Sequence, residues 1–265
     1  MKRFVLSLLI LLGAAFAPAL AQDLTDDQYD EAVEFAQNNT RFVLYHEFGH
    51  LVISQFGLPI LGKEEDAADN IASVILLSER DEEFDNILFD AADGWYLSDI
   101  SNTEDFEEAD FYDSHSLDIQ RSYQIVCLMA GQSIETFGEF AAEYGLDEDR
   151  IDLCAVDYEQ LEQSWAVMTE SFIDPSRGEG YTAKIVYDEP NDETELSATL
   201  VKNSGMMEEL QQRFADTLPE ETVFRATSCD EANAYYDPEV PEIVMCYELT
   251  DLFLDLVIED ILAEE

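Results

Sequence analysis

The sequence predicts an α+β protein that is mainly helical, with a small strand-containing region near its C-terminal end. Helix-like apolar spacing recurs through the first two thirds of the chain, whereas alternating apolar and polar residues indicate strands beyond it. The breaker DPSRG at 174–178 separates the two parts. Apolar residues make up 47% of the 265 residues, enough for a buried core despite the charge. We expect a signal peptide (1–21), a helical region (22–178) and an α+β region (179–265) packed on it.

The first 21 residues have the features of a secretory signal peptide. Lys2 and Arg3 provide a basic start, residues 4–16 are apolar, and Ala19-Leu20-Ala21 is a small-x-small cleavage signal. An N-terminal membrane anchor is the alternative, but the apolar run is short for a bilayer, and no second long one follows. We expect an exported protein, periplasmic or secreted, with no stable membrane insertion after signal cleavage.

The charge of the chain excludes some classes of partner. Sixty-one acidic residues against 12 basic ones give a net charge of −49. Such a surface repels nucleic acid and anionic membranes, so neither is expected as a partner. We interpret the charge as a surface adaptation that suits salt-rich surroundings, where self-repulsion is screened. A calcium-binding role is not indicated, because no EF-hand calcium loop occurs.

The four cysteines predict two disulfides, as is usual for an even number of cysteines in an exported chain. Three pairings are possible, and the short sequence separations favour Cys127–Cys154 with Cys229–Cys246. A cysteine-rich zinc site is disfavoured because no C-x-x-C occurs.

The helical region reads as a series of separate helices. Residues 26–38 predict the first, and Asn39-Thr40 is expected to cap a second over 41–56, which Gly57 and Pro59 end. A third helix begins near Glu64, where an acidic first turn is favourable. We expect residues 81–114 to form a loop with short helical pieces, followed by helices over 116–129, 134–144 and 157–173.

In the C-terminal region, apolar and polar residues alternate more regularly than in the first part of the chain. Strands are predicted over 181–187 and 195–201, separated by a turn at 190–192. A helix over 206–218, strands over 223–226 and 242–247 and a closing helix over 249–262 complete the chain.

The stretch HEFGH contains two of the three histidines. On a helix, His46 and His50 share one face a turn apart, so both can bind one metal ion. Glu47 is offset by about 100° around the axis and can act on a bound water as a general base. Gly49 has no side chain and lets another backbone pack closely. A chance HExxH is the alternative, but the apolar residues around the motif indicate a buried helix.

Catalytic zinc needs a third protein ligand besides water. The HExxHxxGxxH variant with a third histidine is absent, so an acidic ligand is required. The short loop after the motif favours an antiparallel return of the next helix, and Glu65 at its start is the preferred ligand, with Glu64 and Asp66 as alternatives. Asp69, on the same face as Glu65, is expected to accept a hydrogen bond from a ligand imidazole.

Several sequence blocks resemble known families. HEFGH followed by EDAAD resembles the glutamate-type zincins, the gluzincins, whose second motif often reads E-x-x-A-D. More closely, HEFGH, LPILGKEEDAAD, HSLDIQRSYQIVC and NAYYDPEVPEIVMCYEL resemble a family of exported bacterial metallopeptidases. The resemblance implies a zincin-like core with Zn2+ at His46, His50 and Glu65 and with Glu47 as base. The block order is permuted, because NAYYDP…CYEL usually precedes HExxH in that family.

Other residues are candidates for supporting roles. His115 could stabilise the oxyanion of amide hydrolysis, or only hydrogen-bond near a helix start. Arg121 could pair with the acids of the zinc site or clamp a substrate carboxylate, although a structural ion pair is favoured. Tyr235 and Tyr236 could donate to the oxyanion, or pack. The strand that contains Val244 could be the edge strand that binds extended substrate, or an ordinary strand joined by a disulfide.

We therefore expect an exported zinc metallopeptidase that acts on peptide or protein substrates, with one zinc ion as cofactor. A non-catalytic zinc-containing binding protein of the same fold is the main alternative, although it would not need Glu47. A salt-adapted structural protein with a fortuitous motif is a third possibility.

Overall fold

The structure, a computed structural model, describes residues 24–102, 106, 108–170, 172 and 180–263. The predicted signal peptide and the breaker at 174–178 lie outside the described residues. The described helices are α1 (Asp26–Phe56), α2 (Glu64–Glu79), α3 (Glu82–Ser101), α4 (Asp118–Gln132), α5 (Ile134–Glu143), α6 (Glu148–Thr169), α7 (Glu195–Ser204), α8 (Met206–Arg213) and α9 (Tyr247–Ala263), with a 3-10 turn at Glu108–Phe111. The strands are β1 (Lys184–Tyr187), β2 (Val223–Thr227), β3 (Ala234–Asp237) and β4 (Glu242–Cys246).

This arrangement is the mainly helical α+β class predicted from the sequence. The four strands form one mixed sheet in the order β1-β2-β4-β3. β1, β2 and β4 run parallel, and β3 pairs antiparallel with β4 at the edge. Among the described helices, none is long and apolar enough to cross a membrane.

Helix α1 is the central element of the fold. Thr25 caps its start in a capping box with Gln28, and Gly57, at φ 63°, ends it in the left-handed conformation that glycine adopts readily. From Asn38 to Ile53 every residue of α1 except His50 is buried, because α2, α3, α9, β3 and β4 all pack against this part of the helix. A motif on α1 is therefore held inside the molecule, with the sheet on one side.

The predicted break at Asn39-Thr40 was wrong, because α1 is continuous through both residues. The Asn39 side-chain amide donates to the carbonyl of Phe35 at 3.0 Å, and the Thr40 hydroxyl donates to the carbonyl of Ala36 at 2.8 Å. Such bonds to the carbonyl four residues earlier satisfy a polar side chain inside a helix, so neither residue acts as a cap.

The predicted loop over 81–114 was also wrong for most of its length, because α3 occupies 20 of these residues. Ile87, Leu88, Ala91 and Ala92 are buried at helical spacing. Gly94 of α3 packs closely against α1, since a Cβ there would lie 1.9 Å from Oδ1 of Asn39.

The predicted strand over 195–201 is the helix α7. Asn191 forms the turn before it, because its side-chain oxygen accepts the backbone N–H groups of Glu193 and Thr194 at 2.9 and 3.0 Å. Ala198 and Val201, three positions apart, form its buried face.

The cysteines are paired as Cys127–Cys154 and Cys229–Cys246, the pairing favoured by the short separations. The first disulfide joins α4 to α6. The second joins the segment after β2 to the end of β4, so it closes a loop that contains β3.

Candidate metal centre

His46, His50 and Glu65 converge on one point between α1 and α2. Their potential ligand atoms all lie within 4.8 Å of one another. The two Nε2 atoms are 3.2 Å apart, and Oε2 of Glu65 lies 3.3 Å from Nε2 of His46 and 3.0 Å from Nε2 of His50. The structure thus brings together the three residues that the sequence selected as a ligand set.

Each imidazole also hydrogen-bonds to a carboxylate through its other ring nitrogen, Nδ1. Nδ1 of His46 donates to Asp69 at 2.7 Å, and Nδ1 of His50 donates to Glu64 at 3.0 Å. Because a carboxylate only accepts, Nδ1 carries the proton in each ring, and each Nε2 is directed at the point of convergence. Two Nε2 atoms and one carboxylate oxygen are a donor set that suits zinc with an open fourth position. The residues therefore fit a catalytic zinc ion.

The neighbours of Glu65 point elsewhere. Glu64 contacts the outer nitrogen of His50, and Asp66 accepts a hydrogen bond from the Ser116 hydroxyl at 2.7 Å. Of the three acids at the start of α2, Glu65 is the one directed at both Nε2 atoms.

A backbone contact sets the spacing between the two helices. A Cβ on Gly49 would lie 2.9 Å from Cα of Ala68, closer than such atoms approach. The glycine inside the motif therefore lets α2 lie directly against α1, as the sequence suggested.

The electrostatics of the site favour positive charge. Burial lowers the pKa of His46, but hydrogen bonds with Asp69 and Glu65 outweigh it and raise the pKa to about 9. The pKa of Glu65 is far below its usual range because His115, His46 and His50 hydrogen-bond to its carboxylate. Carboxylates thus stabilise a cation here, whether a proton or a metal ion.

Glu47 lies beside the ligands and is 5% exposed. Burial raises the pKa of its carboxyl, and the backbone N–H of Tyr236 donates to it. Glu47 therefore faces β3, the strand that contains Tyr235 and Tyr236.

His115 contacts the centre through Glu65. Its Nε2 lies 3.0 Å from Oε2 of Glu65, and its backbone carbonyl accepts a hydrogen bond from Nζ of Lys63 at 2.8 Å. His115 is half-exposed and does not belong to the three-residue group that could hold an ion. Lys63 was not singled out from the sequence, although it is one of few basic residues and directly precedes α2.

The exposed sheet edge beside the site is β3 rather than β4. Val244, expected to contact substrate from an edge strand, is 4% exposed and lies between Arg225 of β2 and Tyr235 of β3. Its backbone is paired on both sides, so this prediction was wrong. In the described sheet β3 pairs only with β4, and it packs against α1.

Arg121 binds Asp69, one of the acids of the site. Its Nε and Nη2 donate to the two carboxylate oxygens at 2.7 and 2.9 Å. Trp95 lies on α3 and stacks on Arg121. No sequence signal connected these two residues, because the contact joins separate helices.

A second group of potential ligands lies at Cys229, Cys246 and Glu248. The two sulfurs are joined in a disulfide, and Glu248 accepts the backbone N–H groups of Cys229 and Asp230. This group therefore stabilises a turn.

Comparison with known proteins gives one family. The model of the family DUF4344, whose description reads "Putative metallopeptidase", matches residues 12–169 and 187–265. No curated protein and no solved structure matches the chain. The matched segments include every residue of the site described above.

Proposed function

The chain belongs to the DUF4344 family, and from this membership we propose that it is a zinc-dependent peptidase with a gluzincin-type site. The observation that carries the proposal is the convergence of His46, His50 and Glu65, with Glu47 adjacent to the first ligand. Bound at these residues, zinc supplies a Lewis acid that polarises a peptide carbonyl and lowers the pKa of a water molecule.

Glu47 is the proposed general base. It follows His46 directly on α1, so it flanks the ligands instead of joining them. A carboxylate at this position accepts the proton of the attacking water and returns it to the leaving amine. The backbone N–H of Tyr236 donates to the Glu47 carboxylate, which supports a position of this acid where α1 packs against β3.

The free edge of β3 is the proposed binding surface for peptide. An extended substrate would donate to backbone carbonyls of this strand, because the N–H of Ala234 already donates to Asn233 and that of Tyr236 to Glu47, and it would so lie across the face of Glu47. Tyr235, which is exposed, and Tyr236 line this edge. Substrates are therefore unfolded peptides or extended segments of proteins.

His115 is the proposed oxyanion donor. Its imidazole is within hydrogen-bond distance of Glu65 and partly open to solvent, so it can reach a carbonyl oxygen bound at the centre. Two hydrogen bonds hold the segment around His115 to the start of α2. Lys63 donates to the backbone carbonyl of His115, and the Ser116 hydroxyl donates to Asp66.

We also propose that the protein is exported. Two disulfides among the described residues are typical of an oxidising compartment, which agrees with the signal-like start of the sequence.

A zinc-containing binding protein without activity is the alternative function. The buried acid at Glu47 argues against it, because a structural zinc site needs no base and burial of a carboxylate is costly.

The test compares wild type with Glu47→Gln, after zinc loading, on a broad peptide library. Glu31→Gln, the same change at an exposed position of α1, is the control. We expect wild type and control to cleave, and Glu47→Gln to bind one zinc ion while losing about 10²–10⁴-fold in rate. Zinc binding with no cleavage by wild type would support the binding protein, and failure to bind zinc would contradict both functions.

A further inference from the structure

Arg121 forms a two-pronged ion pair directly behind the metal centre. Its side chain, on α4, reaches Asp69 on α2 through Nε to Oδ2 at 2.7 Å and Nη2 to Oδ1 at 2.9 Å. Arg121 is 9% and Asp69 6% exposed, so the pair is shielded from water. Oδ1 of Asp69 also accepts the Nδ1–H of His46 at 2.7 Å. One carboxylate thus connects Arg121 to a proposed zinc ligand.

The guanidinium is fixed from its other side as well. Its central carbon lies 3.5 Å from the centroid of the Trp95 ring, a cation–π contact. The Trp95 ring in turn meets Phe253 of α9 edge to face, with centroids 6.3 Å apart. Arg121 is therefore held between the Asp69 carboxylate and an indole that is itself packed against a third helix.

The geometry of the fork determines the plane of the Asp69 carboxylate. Two parallel N–H···O bonds align the carboxylate with the flat guanidinium, whereas the ammonium of lysine would fix a distance and no plane. With its plane fixed, Oδ1 faces Nδ1 of His46, and the imidazole is directed with Nε2 towards His50 and Glu65.

We propose that Arg121 is a positioning residue of the metal centre, which orients His46 for the metal ion through the Asp69 carboxylate, with Trp95 as its support. This inference rests on the proposed zinc site. A buried ion pair is often no more stabilising than apolar residues of similar volume, so stability alone does not explain this pair. The positioning role gives it a purpose.

A second arginine that pairs with carboxylates, Arg225, provides the control. Arg225 on β2 donates to both oxygens of Asp188 at 3.0 and 2.9 Å and to Glu242 at 2.7 Å. Among the residues that the structure describes, neither acid contacts an imidazole. Arg225→Lys therefore makes the same substitution at an arginine–carboxylate cluster that is more exposed, lacks the two-nitrogen fork and is not connected to His46.

The experiment measures zinc affinity by competition with a chromophoric chelator for wild type, Arg121→Lys and Arg225→Lys. We expect Arg121→Lys to weaken zinc binding about 10–100-fold, with circular dichroism unchanged, and Arg225→Lys to leave the affinity within about twofold. Trp95→Leu, which removes the support but keeps the ion pair, should weaken zinc binding by less than Arg121→Lys. Zinc affinity within about twofold of wild type in Arg121→Lys would overturn the inference.

A second readout separates this inference from the proposed function. In metal-free protein labelled at its three histidines, the Nδ1–H proton of His46 gives a hydrogen-bonded NMR signal. We expect that signal in wild type and Arg225→Lys, and its broadening or loss in Arg121→Lys and Trp95→Leu. A wild type that binds no zinc would contradict the proposed function alone. An unchanged His46 signal in the folded Arg121→Lys variant would overturn the positioning role.

Discussion

Gly49 of α1 and Ala68 of α2 meet backbone to backbone, and this contact determines how far Glu65 lies from the two histidines. An added Cβ at Gly49 would be 2.9 Å from Cα and 3.1 Å from the carbonyl oxygen of Ala68. Neither atom can move away without moving α2, whose first turn contains Glu65.

Gly49→Ala should therefore weaken zinc binding by displacing α2 from α1. We expect at least a tenfold loss of zinc affinity, and about 1–3 kcal/mol lower stability, because the added methyl group overpacks a backbone contact. Gly138→Ala on α5 is the control, since its Cβ meets only the side chain of Ile134, at 3.2 Å. Equal zinc affinity in Gly49→Ala and wild type would show that the helix spacing does not set the ligand geometry.

His115→Gln should reduce turnover and leave the metal bound. We expect a loss of about 10²-fold in kcat, as for removal of an oxyanion donor, with one zinc ion retained. Ser114→Ala, which removes a hydroxyl 3.3 Å from Nδ1 of His115, is the control and should be nearly neutral. Loss of bound zinc in the variant would indicate that His115 is a ligand. An unchanged kcat would indicate that His115 only forms a hydrogen bond near a helix start.

The two disulfides should differ in their effect on substrate binding. Cys229–Cys246 closes a loop that contains β3, so replacing both residues by alanine should raise KM by loosening the peptide-binding edge. The disulfide Cys127–Cys154 joins two helices away from β3, so replacing both of its cysteines by alanine should leave KM unchanged.

Both disulfide variants should lose about 3–4 kcal/mol of unfolding free energy, because the closed loops have sequence separations of 17 and 27. Denaturant unfolding and peptide kinetics on the same samples provide the measurement. An equal change of KM in both variants would contradict the role of β3.

Asp90 should make the protein less stable as pH rises. Burial raises the pKa of its carboxyl to about 6. A group whose pKa is higher in the folded state favours folding while it is protonated, so its contribution is complete below about pH 4 and is lost as pH rises through 6.

Asp90→Asn removes this titration and can still accept the hydrogen bond from Asn38. We expect the variant to be about 1–2 kcal/mol more stable than wild type at pH 7.5 and equal to it at pH 4. Asp152→Asn, at an exposed position of α6, is the control for the change of net charge. A stability difference that does not depend on pH would contradict the burial argument.

The centre could be predicted from the sequence because its geometry is mostly local. His46 and His50 share a face through helix periodicity alone, and the short loop before α2 limits where Glu65 can lie. Asp69 follows from the same face of α2, and the structure places it 2.7 Å from His46.

The parts that could not be predicted depend on contacts between distant segments. Which strand is the sheet edge depends on pairing order, so Val244 was assigned to an edge that β3 occupies. Asn39 and Thr40 have good capping side chains, and only tertiary burial made them interior residues of α1. The permuted block order and the division at 178 stay predictions.

The most direct test of the central claim is a crystal structure of the zinc-loaded protein with anomalous scattering at the zinc edge. We predict one strong peak about 2.0–2.2 Å from Nε2 of His46, Nε2 of His50 and a carboxylate oxygen of Glu65, with Glu47 beside it and outside the ligand set. A peak held by other residues, or none at saturating zinc, would contradict the account.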